Sequence, residues 1–326
     1  MYKELTVREC AERIISIGDC EILIHVRPDG DAVGTASALS LILRQLGHKS
    51  EVVCCDPISK RLSFITERAK VSVKCERSAL PAIAVDSASP SQLGSLYSEE
   101  HPVSLMIDHH ESGLPYADNL ILPLASSAGE VMYLIAKELS SMGKITIDKP
   151  LAEALYTSIS SDTGRFAYSN TSPETMRIAA VLMETGVDTS DINHRLFTTK
   201  TREQIKAEGI IATSVMTVSS GRIAYAALPI SVREENGLSE SDFETAIDVV
   251  RSLEGAEVAL FLRETEKGKY KASIRSTKKE IVSVANKFYG GGHAMAAGCS
   301  PIADTIDEAL KMLLSALSSH IEEDAK

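Results

Sequence analysis

Tryptophan is absent from the 326 residues, and the aromatic content is only 5%. There is thus no regular array of rings on which successive bases of a long single strand could stack. No apolar run approaches the roughly 18 residues needed to span a bilayer. Met1–Cys10 mixes Lys3, Glu4, Arg8 and Glu9 with apolar residues and lacks a signal-peptide core. An excess of basic residues is also missing. The 34 Lys and Arg face 45 Asp and Glu, a net charge of −11, so a polyanionic ligand must meet a local patch or a bound cation. The six cysteines, Cys10, Cys20, Cys54, Cys55, Cys75 and Cys299, form no Cys-x-x-Cys pair, which excludes a zinc knuckle or disulfide framework and fits a reduced, cytoplasmic protein. No Gly-x-Gly-x-x-Gly follows the first apolar run, which disfavours a nicotinamide-dependent oxidoreductase. What is present, 44% apolar and 24% charged residues, is ordinary for a globular chain, and the length suggests two domains.

Through residue 190 short apolar runs alternate with helical patterns. Glu21–Val26 reads as a strand ended by Pro28 and Gly30, and apolar positions 32, 33, 36, 39, 43 and 46 then recur at helical spacing until Gly47. Further strands are expected at Val52–Cys55, Ala82–Val85 and Val103–Ile107. Helices are expected at Ser126–Ser141, Asp148–Ser160 and Ser172–Glu184, the last opened by Ser172, Pro173 and Glu174. This alternation predicts an α/β fold with a largely parallel sheet covered on both faces. Residues 188–213 read as a linker helix. Strands at Ile223–Leu228, Val258–Arg263 and Tyr270–Arg275, with helices at Asp242–Ser252, Glu280–Phe288 and Thr305–His320, predict a smaller α/β domain. The expected division is therefore 1–187, 188–213 and 214–326, with a cleft between the domains.

The chemistry gathers where strands end. His25, Asp29 and Asp31 lie within seven residues at a strand-to-helix junction, and Gly30 lets the chain turn tightly there. Asp86 follows the strand Ala82–Val85, Asp108-His109-His110 follows Val103–Ile107, and Asp162-Thr-Gly ends a helix. Alone, each acid reads as a cap or a surface charge, and Pro-Asp-Gly as a turn. Parallel strands share one carboxyl edge, so four such clusters at equivalent positions point instead to a single site.

These four segments resemble the motifs of the DHH phosphoesterase superfamily. Gly290-Gly-Gly-His293-Ala-Met-Ala-Ala-Gly298, preceded by Ser273-Ile-Arg275-Ser276, is similar to the substrate-binding signature of the DHHA1 domain. The resemblance runs through nearly the whole chain in order and looks most like the nanoRNase / pAp phosphatase group. It departs at Thr35, where the family often has Ser and the hydroxyl is kept. The resemblance implies a DHH metal-binding catalytic domain at 1–187 and a DHHA1 substrate-binding domain at 214–326. It implies two divalent ions about 3.5–4 Å apart that clamp an in-line phosphoryl displacement by a bridging water. His25, Asp29 and Asp86 would hold one ion, and Asp31, Asp86, His109 and Asp162 the other, a donor set that suits Mn²⁺. Asp108 would orient the imidazoles, and His110 would donate to a phosphate oxygen. Arg165 either faces that phosphate or is a surface residue. His48, His101, His194 and His320 lack neighbouring acids in a motif and read as structural.

In the second domain, seven basic residues lie between Lys267 and His293 against the single acid Glu280. Arg275, Ser276, Gly291, Gly292 and His293 are the expected substrate contacts. The glycine backbone would offer N–H groups to an anion without side-chain obstruction, where a lone triple glycine would read as a flexible loop, and Arg275 a fork of donors. A short basic wall without an extended channel suits small ligands. The expected activity is metal-dependent hydrolysis of oligoribonucleotides of about 2–5 nucleotides, pGpG included, with dephosphorylation of pAp to AMP. A cyclic dinucleotide (c-di-AMP) phosphodiesterase is the alternative within the superfamily, and a non-catalytic metal-dependent nucleotide-binding protein the alternative outside it. A type II inorganic pyrophosphatase would share the first-domain motifs but not the Gly-Gly-Gly-His segment. The expected partners are short single-stranded RNA or a nucleotide and no membrane; a homodimer is left open.

Overall fold

The apolar runs of the first two hundred residues assemble side by side into one parallel sheet. The computed structural model describes residues 2–111 and 113–323, and the chain divides into two units, Met1–Thr199 and Lys200–Lys326. The first unit runs α1 (Val7–Ile17), β1 (Cys20–Leu23), α2 (Gly30–Gln45), β2 (Ser50–Cys54), α3 (Ser63–Thr66), β3 (Val71–Val73), β4 (Ala82–Val85), β5 (Leu105–Asp108), β6 (Asn119–Ile121), α4 (Ala128–Ser141), α5 (Lys149–Asp162), α6 (Pro173–Glu184) and α7 (Thr189–Asn193). The strand order is β3-β2-β1-β4-β5-β6, with every pairing parallel. Between β1 and β4 the chain reverses its direction of travel across the sheet, and in open α/β sheets ligands bind outside the carboxyl ends of the strands at such a point.

Both faces of the sheet are buried, as its near-continuous apolar strands require. Ile22, Ile83, Val85, Leu105 and Ile107 pack with helices α1, α2, α4 and α5. Leu23, Val53, Ala84 and Met106 alternate onto the other face, covered by Leu93, Leu96 and Tyr116. Helix α2 departs from the one-faced stripe read in its sequence, because every residue from Gly30 to Leu43 is buried. Its small residues explain this. A Cβ at Gly34 would stand 2.8 Å from both Cβ and N of Ser158, so only glycine lets α2 lie this close to α5.

The expected elements are present with ends shifted by a few residues. Helix α6 is capped as read, with the Ser172 hydroxyl accepting from Thr175 N and Pro173 in the first turn. Helix α1 and strands β3 and β6 were not expected. The first is opened by a capping box of Thr6 and Glu9, and the two strands are only three residues long. Residues 188–213, read as one linker helix, form several elements. Ile192 and Leu196 pack into the core of the first unit, whereas Ala207 and Ile211 of α8 (Arg202–Ser214) pack into the second.

The second unit continues with β7 (Met216–Val218), β8 (Ile223–Leu228), α9 (Ile230–Glu235), α10 (Ala246–Arg251), β9 (Val258–Glu266), β10 (Lys269–Ser276), α11 (Val282–Asn286), β11 (Gly291–His293), β12 (Ala296–Cys299) and α12 (Ile306–Glu323). Its sheet is mixed, in the order β11-β12-β10-β9-β8-β7, with β8 and β9 parallel and the other pairs antiparallel. No helix among the described residues is long and apolar enough to cross a membrane.

Candidate metal centre and substrate-binding residues

The carboxyl ends of β1, β4 and β5 and the end of α5 bring all the expected ligands of the first unit together. His25 Nε2 lies 3.9 Å from Asp29 Oδ1 and 3.6 Å from Asp86 Oδ2. His109 Nε2 lies 3.6 Å from Asp31 Oδ2, 3.7 Å from Asp86 Oδ1 and 3.8 Å from Asp162 Oδ2. Asp86 therefore turns one oxygen to each imidazole. Its backbone is left-handed, at φ 52°, a conformation that Asp tolerates better than most residues. Ligand atoms of His25, Asp29 and Asp86 lie within 4.8 Å of one another, as do those of Asp31, His109 and Asp162, and those of Asp86, Asp108, His109 and His110.

The local structure aims these groups. Asp29 caps α2, accepting from Asp31 N at 2.9 Å and Ala32 N at 3.1 Å. Asp31 sits at the N-terminus of α4, where Ala128 N and Gly129 N donate to it at 2.8 and 3.1 Å. It also accepts from Thr35 Oγ1 at 3.1 Å and from Ser158 Oγ, so the threonine retains the hydroxyl's role. His25 Nδ1 lies 2.9 Å from Val26 O and His109 Nδ1 lies 3.3 Å from Ala125 O. A carbonyl can only accept, so each ring carries its hydrogen on Nδ1 and presents Nε2 to the carboxylates.

These residues fit a pair of cations. The Nε2–carboxylate separations are too long for hydrogen bonds. Two buried carboxylate oxygens, Asp86 Oδ1 and Asp108 Oδ2, have no hydrogen-bond partner, which is costly unless something else satisfies them. Imidazoles fixed by carbonyls and aimed at carboxylates are the usual surroundings of a metal. Without a cation, burial pushes the Asp31 and Asp162 carboxyls up, reinforced by the charges of Asp86 and Asp29, and Asp162 reaches about 8. Burial opposes charging His25, but Asp29 and Asp86 outweigh it and hold the ring up at about 11. Desolvation pushes Asp29 up, and His25 overcomes it, leaving that carboxyl at about 2.

Asp108 and His110 form a pair beside this group. Asp108 Oδ1 accepts from His110 Nδ1 at 2.7 Å and from the backbone N–H of His109 and His110 at 2.7 and 3.3 Å. Burial opposes protonation of His110, yet the Asp108 partner raises the ring to about 9. Arg165, exposed and left-handed at φ 62°, stacks over Phe197 at 5.0 Å. His48 and His320 bond to the carbonyls of Ile15 and Glu280, away from the ligand groups.

Three participants escaped the sequence reading. Ser158 lies four residues before Asp162 on α5, a helical spacing that offered a signal. Asn170 Nδ2 donates to Asp162 Oδ2 at 3.3 Å and Ser126 O at 2.9 Å. Glu130, three residues after the α4 cap Ser127, is buried and bonded to Ser126 and Thr175.

The expected substrate contacts of the second unit gather on its sheet. Arg275 lies on β10 opposite Ala296 of β12, its guanidinium donating to Ile274 O at 3.0 Å. Ser276 Oγ accepts from the N–H groups of Lys278 and Lys279, fixing the turn after β10. The triple-glycine segment, expected to offer its N–H groups to an anion, continues into edge strand β11, where Gly291, Gly292 and His293 pair with β12. A Cβ at Gly292, φ 137°, would meet Ala296 O at 2.5 Å, so close backbone approach demands glycine here.

Residues 20–159 match the DHH family, N-terminal domain, and residues 220–319 match the DHHA1 domain. The chain is 30% identical over 309 residues to the bifunctional oligoribonuclease and PAP phosphatase NrnA of Thermus thermophilus, covering 93% of this chain and 90% of that protein. It belongs to the DHH phosphoesterases, in the NrnA group. The NrnA of Bacillus subtilis is 29% identical over 290 residues, covering 88% and 91% of the two chains. An exopolyphosphatase-related protein from Bacteroides fragilis has the same fold, with a TM-score of 0.86 at 22% identity over 96% of each chain. As a DHH phosphoesterase the protein is a metal-dependent hydrolase, and the acid and histidine cluster is where its metal would be held.

Proposed function

We propose that this DHH protein hydrolyses oligoribonucleotides of about two to five nucleotides, including pGpG, and removes the 3′-phosphate of pAp, with two Mn²⁺ ions, in the cytoplasm. The observation that carries the reading is Asp86, whose Oδ2 faces His25 and whose Oδ1 faces His109. One carboxylate is thereby common to two ligand groups, His25–Asp29–Asp86 and Asp31–Asp86–His109–Asp162. A set of carboxylates and imidazoles without thiolate suits Mn²⁺. The relatives' activities supply the substrate class.

When bound, such ions stabilise charge on the phosphoryl oxygens and lower the pKa of a water that attacks phosphorus. The chain's own groups do the rest. The N–H groups opening α4 and the Thr35 and Ser158 hydroxyls hold Asp31 in one orientation. Asp108 holds His110 protonated at neutral pH, a charge that suits the ring to donate to a phosphate oxygen. In the second unit Arg275, Ser276, Gly291, Gly292 and His293 bind a further phosphate or base and select for length. A DHH domain at 1–187 would lie within the first unit and a DHHA1 domain at 214–326 within the second, the segment 188–213 passing from one core to the other.

The test is one assay with MnCl₂, and an EDTA control, on pAp, pGpG, cyclic di-AMP, a 5-mer RNA and a 24-mer RNA. Turnover of pGpG, the 5-mer and pAp well above the 24-mer is the expected result. Fastest turnover of cyclic di-AMP would replace the substrate assignment. No Mn²⁺-dependent turnover of any phosphodiester would overturn it.

A further inference from the structure

The most connected polar group behind the ligands is Glu130, in the first turn of α4 and only 5% exposed. Its Oε2 accepts from Ser126 N at 3.2 Å, Ser126 Oγ at 2.6 Å and Thr175 Oγ1 at 2.8 Å. Three donors on one oxygen tie the segment 125–129 to the first turn of α6. That segment in turn reaches three candidate ligands. Ala125 O receives the Nδ1–H of His109. Ala128 N and Gly129 N donate to the two oxygens of Asp31. Ser126 O receives Asn170 Nδ2, and the same amide nitrogen reaches Asp162 Oδ2. Asp31, His109 and Asp162 together make up one ligand group. No hydrogen bond among the described residues joins the segment to His25, Asp29 or Asp86.

We propose that Glu130 is a positioning residue for one ion of the pair, setting the directions of Asp31, His109 and Asp162 through the segment 125–129 and leaving the His25–Asp29–Asp86 group untouched. The inference rests on the two-ion reading above. The physical basis is the cost of aim. A cation gains from several donors only when all point at one spot, and each side chain left to wander forfeits part of that gain. A single buried acid that fixes three ligands at once concentrates the effect. A residue that merely capped α6 would alter thermal stability and leave the ratio of the two ion affinities unchanged.

The full-length protein, its Glu130→Gln variant and its Asn170→Ala variant are stripped with EDTA and titrated with MnCl₂, free Mn²⁺ being read from its electron paramagnetic resonance signal. Wild type should bind two ions. In Glu130→Gln one ion should weaken by about tenfold while the other stays within about twofold, the scale expected for groups that orient ligands. Asn170→Ala should weaken the same ion by a smaller factor, through Asp162 and one bond to Ser126 O. Asn170 is exposed, so this variant carries the test if Glu130→Gln does not fold. Equal losses at both ions, or unchanged binding, overturn the proposal. Failure of wild type to bind two Mn²⁺ overturns the two-ion reading instead, which keeps the two failures apart.

Discussion

Stripping the metal and raising the pH should destabilise the first unit by an amount the site allows us to work out. In the folded, cation-free site Asp31 is raised, Asp162 sits at about 8, His110 at about 9 and His25 at about 11. In the unfolded chain an Asp titrates near 3.9 and a His near 6.5. Above pH 7 the folded state therefore binds more protons than the unfolded one. With folded pKa values raised, the stabilisation is complete below the unfolded values and is lost as pH climbs through the folded ones. Each proton held only by the folded state costs about 1.4 kcal/mol per pH unit. Counting only one or two of the four, the loss is about 1.4–2.7 kcal/mol per unit, or roughly 3–10 °C in Tm for a unit of this size. Buried thiols such as Cys10, pushed up to about 12, add the same sign only above their ordinary range, so the window is pH 7.0–8.5. The assay is thermal unfolding in EDTA and in MnCl₂ across that window. Tm in EDTA should fall with pH, and the gain from Mn²⁺, which displaces these protons, should widen. Asp162→Asn should make the EDTA slope shallower by about one proton. A Tm in EDTA that is flat or rises with pH would refute the reasoning.

Three further outcomes follow from particular contacts. Asp86→Asn keeps the shape and the tolerance for φ 52° but removes the shared carboxylate, so turnover of every substrate should drop more than about 100-fold, over ~2.7 kcal/mol of transition-state stabilisation; a variant retaining a tenth of the activity contradicts the bridging role. Arg275→Ala should raise KM for a 5-mer RNA about 10-fold or more, the worth of one charge-assisted contact, while sparing bis-p-nitrophenyl phosphate; equal losses on both would show that Arg275 does not grip a distant part of the substrate. Gly34→Ala places a Cβ 2.8 Å from Ser158 and should cost about 1–3 kcal/mol in chemical unfolding, with weaker Mn²⁺ binding because Ser158 also supports Asp31; an unaltered midpoint would mean that α2 and α5 separate freely.

What the sequence determined by itself is local. Strands β4 and β8 lie where their apolar runs end, α6 starts at its Ser-Pro-Glu signal, and the residues that converge at the candidate metal centre could be named from their place after strands and at a helix end. Hydrophobic period, caps and strand-ending acids are properties of a few neighbouring residues, so they survive without a fold. The pairing of distant segments is not such a property. That β1 lies beside β4, turning the oxygens of Asp86 to both imidazoles, came only from the strand order. Three-residue strands such as β3, β6 and β11 have no periodicity to detect, and their backbone groups are satisfied only by a neighbour far along the chain. The triple glycine reads as a loop because flexibility is its local meaning; pairing with β12 makes Gly291–His293 a strand, and the closeness of Ala296 requires glycine at position 292. Glu130 shows the same limit for a charge. It is buried against Ser126 and Thr175, and the approach of α6 that buries it is encoded by no local pattern.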